Sequence, residues 1–260
     1  MRRKLIILSN TGGKKNYLES VLHDRENYLR YFRSAYGGGW TDKEEIYAPE
    51  PNECSWADLE DYMNATEDFA HVDLWVIVFT GHGWADKNGE SYLEPQPGTA
   101  MEEDIPVGWI ADMTKNSRCL LITDSCRAVL PITESQQPVQ REFSLADGED
   151  DFSRMLGRNL YLRILPNIPV GSFTVGFACQ YDEKAGNNDD DTGGLFSDAL
   201  LQAALHEIKL SKQKNIHNDW VSFSYIHSQA RQQVMVATDG CQVPTLLHDR
   251  ANQLPFCVIP

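Results

Sequence analysis

The strongest constraint on this chain is a set of short apolar runs that recur along it. Lys4–Ser9 (KLIILS), Leu74–Thr80 (LWVIVFT) and Arg118–Thr123 (RCLLIT) have aliphatic, β-branched and aromatic residues in sequence, without a polar residue at every second place. A strand wetted on one face alternates. A strand apolar throughout needs cover on both faces, as in a parallel sheet between two layers of helix. Three weaker strand signals join these runs: Glu45–Ala48, Ser172–Ala178 (SFTVGFA) and Val243–Leu247.

Helical periodicity fills the gaps. Leu18, Val21, Leu22, Tyr28, Leu29 and Phe32 fall near one face before Gly37-Gly38-Gly39. Ser55 with Asp58 three residues on signals a helix start, with Trp56, Leu59, Tyr62 and Met63 as its apolar stripe. Pro106–Met113, Leu195–Ile208 and Trp220–Val236 read as further helices, and Asn88-Gly89 as a hairpin turn. Strands alternating with helices predict an α/β fold, a sandwich around a mostly parallel sheet of about six strands. From Val129 to about Pro169 the chain turns polar, with Gln136-Gln137-Pro138 and Asp147-Gly148-Glu149-Asp150-Asp151; part of this reads as a flexible linker or insertion.

Composition narrows the function classes. With 38 acidic and 23 basic residues the formal charge is −15, which repels phosphate backbones and argues against nucleic acid as a partner. Such a surface favours basic substrates or cations. No two of the six cysteines have CxxC spacing, which argues against a zinc ribbon or a thioredoxin-type site. Behind Met1-Arg2-Arg3-Lys4 the apolar run Leu5–Leu8 is shorter than a secretory core of roughly 7–15 residues or a membrane helix of about 20. The expectation is a cytoplasmic protein with free thiols and no membrane association. Ser9-Asn10-Thr11-Gly12-Gly13 lacks the spacing of nucleotide-binding glycine loops.

In an open parallel sheet, ligands bind beyond the carboxyl ends of the strands. His82 lies two residues past one buried run and Cys126 three residues past the next, 44 residues apart, with room for a crossover helix between. Neighbouring parallel strands would bring a thiol and an imidazole to one rim, which is the requirement for a nucleophile with an acid–base partner. Gly81 and Gly83 would let the backbone turn around His82. The amides of Gly83 and Cys126 could form an oxyanion hole, one such donor being worth roughly 3 kcal/mol of barrier. A nearby imidazolium would help to lower the thiol's pKa.

VIVFTGHG (Val76–Gly83) and LLITDSCRA (Leu120–Ala128) resemble the two signature segments of caspases, metacaspases and their bacterial relatives. FACQYDEKAG (Phe177–Gly186) and GGLFSDALLQAAL (Gly193–Leu205) are similar to the family's specificity-pocket segment and the helix after it. The resemblance implies one caspase-like domain over 1–260: a p20-like part over 1–130 with the Cys126/His82 dyad, a linker over 131–170, and a p10-like part over 171–260. It implies a cysteine endopeptidase acting on protein substrates, stored as a zymogen and released by autoprocessing or by an upstream activator protein. Asp124 stands where metacaspases have the acid of the P1 pocket, and Asp182 is a second candidate by its place after Cys179, so cleavage after Arg, less so Lys, is expected. Arg154, Arg158 and Arg163 would then be candidate autoprocessing sites. No cofactor is required on this reading. Many metacaspases respond to calcium, and the acidic runs Asp147–Asp151 and Asp189–Asp191 are candidate oxygen ligands without EF-hand spacing. Two departures are plain: Arg127-Ala128 stands where the family has a glycine shortly after the cysteine, and Tyr181 where metacaspases favour an acid. The competing readings are a catalytically weak caspase-like signalling module and another thiol hydrolase.

Overall fold

The computed structural model describes residues 1–42, 45–129, 150–187, 193–248 and 253–260. In chain order the elements are β1 (Arg3–Asn10), α1 (Ser20–Arg33), β2 (Ile46–Tyr47), α2 (Trp56–Phe69), β3 (Leu74–Gly81), β4 (Gly83–Ala85), β5 (Ser91–Leu93), β6 (Ile105–Pro106), α3 (Val107–Met113), β7 (Arg118–Asp124), α4 (Asp151–Ile164), β8 (Phe173–Phe177), α5 (Leu195–Gln213), β9 (Asp219–Ser222), α6 (Phe223–Ala237), β10 (Thr245–His248) and β11 (Pro255–Ile259).

The expected sheet is present. Six strands lie in the order β10-β8-β7-β3-β1-β2, parallel except for β10, which runs antiparallel to β8 at the edge. The apolar runs form its centre, and their pleat sends alternate residues to opposite layers. Leu5, Ile7, Val76, Val78, Leu120 and Ile122 face a core shared with α1, α4, α5 and α6. Ile6, Leu8, Trp75, Ile77, Phe79, Cys119 and Leu121 face a second core against α2 and α3. Ser55 caps α2 as expected, with Asp58 returning the bond to the Ser55 amide at 2.9 Å. Among the described residues no helix is long and apolar enough to cross a membrane.

Two readings are corrected. Trp220–Val236 is not one helix: Asp219–Ser222 forms β9, paired antiparallel with β11, and α6 begins only after the Ser222 cap. Tertiary pairing with a strand at the chain end overrides the local pattern there. The linker expected over 131–170 holds an ordered helix, α4, capped by Asp150 on the Ser153 amide at 2.7 Å. Leu160, Tyr161 and Ile164 carry its buried face into the first core, while Phe152, Met155 and Leu156 are exposed beside its polar residues, so its apolar residues do not mark one clean stripe. Residues 131–149, the earlier part of that stretch, lie outside the described residues, as do Asp189–Asp191.

Candidate active site

β3 and β7 are neighbours, with Thr80 opposite Asp124 in the parallel register. His82 and Cys126 are therefore each two residues beyond a matched pair, at one rim of the sheet. The segments beyond the strands are in contact: a methyl group on Gly83 would fall 2.9 Å from Ser125 Oγ and 2.8 Å from the Tyr92 carbonyl oxygen. Any side chain at position 83 would wedge the histidine and cysteine segments apart.

The imidazole is oriented by a residue that no motif in the sequence singles out. His82 Nε2 lies 2.9 Å from the backbone carbonyl oxygen of Asn16. A carbonyl oxygen only accepts, so Nε2 carries the proton, and Nδ1 is the nitrogen left to exchange a proton with a thiol or an amine. The loop holding Asn16 is braced throughout. Thr11 and Asn52 exchange two hydrogen bonds, at 2.9 and 2.8 Å. Leu18 N–H donates to the Thr11 carbonyl. Asn10 Oδ1 accepts from Gly12 N–H at 2.7 Å, while its Nδ2 donates to the Glu94 carbonyl at 2.8 Å, and Glu94 N–H donates to the His82 carbonyl. Gly12 has φ of +75°, and a methyl group there would sit 2.6 Å from His82 Nε2 and 2.3 Å from the Asn16 oxygen. Only glycine permits both that turn and that approach.

Cys126 is largely buried, with Sγ 3.9 Å from the Ala185 carbonyl oxygen, and burial pushes its thiol above the ordinary range. Burial thus acts against the lowering expected from a neighbouring imidazolium. Arg127 turns back into the fold. Its guanidinium donates to Ser91 Oγ at 2.8 Å and lies 4.0 Å above the Phe177 ring, tying the β4–β5 hairpin to β8. Cys119 and Cys179 are buried, and none of the six cysteines forms a disulfide.

The acidic residues separate into two places. Asp124 is buried, and its Oδ2 accepts from the Ser197 amide in the first turn of α5 at 2.8 Å. Its carboxylate neighbour is Asp24 on α1, also buried, which accepts from Gly194 N–H at 3.0 Å and Thr80 Oγ1–H at 2.9 Å. A methyl group on Gly194 would fall 2.3 Å from Asp124 Oδ2 and 3.1 Å from Asp24 Oδ2, which places the two carboxyl groups side by side under the helix terminus. Burial raises Asp124 to about 6. Burial, and then the charge of Asp124, raises Asp24 well above the ordinary carboxylate range. Asp182 is elsewhere: exposed, at φ of +62°, its Oδ1 accepts from Val129 N–H at 3.1 Å. Asp24 was invisible in the sequence because nothing in its helical pattern ties it to a strand end 100 residues later.

Arg154, Arg158 and Arg163 all lie within α4. Arg158 pairs with the buried Glu45, and Arg154 with Asp151 at 3.1 Å. Among the described residues no three His, Cys, Asp or Glu side chains are grouped to hold a metal ion; most of the two acidic runs named for calcium lies outside them.

No family model matches this sequence, and no curated protein matches it. In three dimensions the chain is similar to the crystal structure of caspase-1 from Spodoptera frugiperda, with a TM-score of 0.60 at 11% identity, over 99% of this chain and 88% of that one. Together with the order and direction of its strands, this likeness shows that the chain has a caspase-like α/β/α fold.

Proposed function

We propose that this chain is a cysteine endopeptidase that cleaves protein substrates after a basic residue, Arg in preference to Lys. The observation that carries the proposal is the matched placement of His82 and Cys126 beyond paired strands, with the imidazole already oriented by the Asn16 carbonyl.

His82 Nδ1 takes the Cys126 proton as sulfur attacks the scissile carbonyl carbon. The negative oxygen of the tetrahedral adduct accepts from the amides of Gly83 and Cys126. The adduct collapses, the C–N bond breaks, and the imidazolium gives its proton to the departing amine. Water then attacks the thioester with His82 as base, releasing the acid and restoring the thiol. Asn16 holds the imidazolium formed in both halves, since Nε2–H donates to its carbonyl throughout.

The Asp24/Asp124 pair is the proposed P1 contact, with Asp182 outside it. Two buried carboxyl groups raised by their surroundings regain their ionised form when a guanidinium joins them, and its planar fork can serve both. The proposal extends to a reducing, cytoplasmic setting, in keeping with six free cysteines, and to an upstream activator protein. Autoprocessing at Arg154, Arg158 or Arg163 requires α4 to unwind locally before an extended site can accept it. Single-turnover cleavage of peptides with Arg, Lys or Asp at P1 tests the reading; cleavage after Asp would keep the nucleophile and remove the acidic pocket. The raised thiol of Cys126 favours a second reading, a weakly catalytic signalling module, for which Cys126→Ala would leave partner binding unchanged.

A further inference from the structure

The small sheet that follows His82 carries chemistry that the dyad and the P1 carboxylates do not use. On its outer side Trp84 and Tyr92 face each other across β4 and β5, their rings 4.2 Å apart and 7° from parallel, and Pro106 lies opposite Tyr92 across β6. These residues are half-buried, while Gly83, Ala85, Leu93 and Ile105 between them are buried beneath. Trp84 Nε1 donates to Asp104 Oδ2 at 2.7 Å. Asp104 is only 5% exposed, and its other oxygen, Oδ1, has no hydrogen-bond partner.

Carboxylates flank both ends of the ring pair. Glu94, Glu103 and Glu102 lie close enough to Asp104 to add to the upward pressure that burial puts on its carboxyl group, and Asp86 and Glu90 act likewise on the Tyr92 hydroxyl. Over residues 83–106 there are six acidic residues against Lys87 alone. An aromatic face with negative charge around it and an unpartnered carboxyl oxygen at its edge suits an organic cation with an aliphatic stem, a lysine or arginine side chain.

Its position fixes which part of a substrate it would meet. His82 delivers the proton to the departing amine, so chain beyond the scissile bond lies on the histidine side. Trp84 is the second residue after His82, and Ala85 N–H donates to the Ala128 carbonyl, which joins β4 to the segment just after Cys126. Resting on the peptidase reading above, we infer that Trp84, Tyr92 and the surrounding carboxylates form a subsite for a basic residue within the first few positions after the scissile bond. The preferred substrate then carries basic side chains on both sides of the cleaved bond.

The test uses quenched fluorescent peptides that share Arg at P1 and differ only beyond the scissile bond, with Arg-Lys, Ala-Ala or Glu-Glu there. A basic pair is expected to exceed an acidic pair by about tenfold in kcat/KM. That ratio, taken within each variant so that partial misfolding cancels, should shrink by about threefold to fivefold in Trp84→Ala and in the exposed-acid variant Glu102→Gln/Glu103→Gln. An equal rate for basic and acidic pairs in the unaltered protein overturns the inference. An Arg-coumarin peptide has no residues beyond the cleaved bond and so reports on the peptidase reading by itself. If that peptide is not turned over, fluorescence anisotropy of labelled Arg-Lys and Glu-Glu peptides on Cys126→Ala decides: tighter binding of the basic peptide, weakened by Trp84→Ala, supports the subsite, and equal binding rejects it.

Discussion

Replacing Asp124 with asparagine should make the protein more stable and less active. The amide keeps the shape and an oxygen to accept the Ser197 N–H, but removes the charge. At about 1.36 kcal/mol per power of ten, a rise from 3.8 to about 6 makes the ionised carboxylate cost the folded state roughly 3 kcal/mol. The sign follows from linkage. A raised folded pKa means that the folded state holds its proton after the unfolded chain has lost it, so stability falls as pH climbs from about 4 to about 6 and then levels. Asp24, raised well above the ordinary carboxylate range by burial and by the charge of Asp124, contributes a fall of the same sign. Asp124→Asn should match the unaltered protein near pH 4 and exceed it by up to about 3 kcal/mol at pH 7 and above. Urea unfolding followed by tryptophan fluorescence at several pH values measures this. His227, buried and lowered to about 4, makes the opposite contribution at low pH, but it is common to both proteins and cancels in the difference. Asp124→Asn should also lose cleavage after Arg. A variant destabilised equally at every pH would refute the reasoning and reduce Asp124 to a cap for α5.

Other substitutions probe the rest of the site. Gly12→Ala should lower kcat/KM by about a hundredfold, the scale of general acid–base catalysis, because the new methyl group collides with His82 Nε2 and the Asn16 carbonyl; unchanged kinetics would remove Asn16 from the mechanism. Alkylation of Cys126 by iodoacetamide should keep accelerating through pH 9, since burial raises the thiol; a plateau beginning near pH 5 would reveal a thiolate–imidazolium pair instead. Arg127→Ala should cost about 2 kcal/mol in urea unfolding through loss of its bonds to Ser91 and Thr245 and its packing on Phe177, and no loss would mean the hairpin is held otherwise.

Much of the architecture was legible in the sequence because it rests on local signals. Val76, Ile77 and Val78 announce a strand covered on both faces, and each of the three strong runs became a central strand. The strand-end positions of His82 and Cys126 were readable for the same reason. What could not be read depends on pairing between distant segments. Trp220 and Val221 fit a helical pattern and became a strand only because Cys257 and Val258 lie beside them. Asp24 meets Asp124 through the packing of α1 and α5 over the sheet rim, and Asp182, nearer to the cysteine motif in its expected role, turns outward at a left-handed residue. Asn16 contributes a backbone oxygen, and a carbonyl has no signature in the side-chain alphabet.

The decisive measurement for the Cys126/His82 dyad is cleavage of Arg-coumarin peptides by the purified chain, beside Cys126→Ala and His82→Ala. A peptidase working through this dyad turns the peptide over, loses that turnover with either substitution, and is captured covalently at Cys126 by an arginyl electrophile. Turnover that survives Cys126→Ala, or an unaltered protein in which neither turnover nor capture occurs with its activator present, would contradict it.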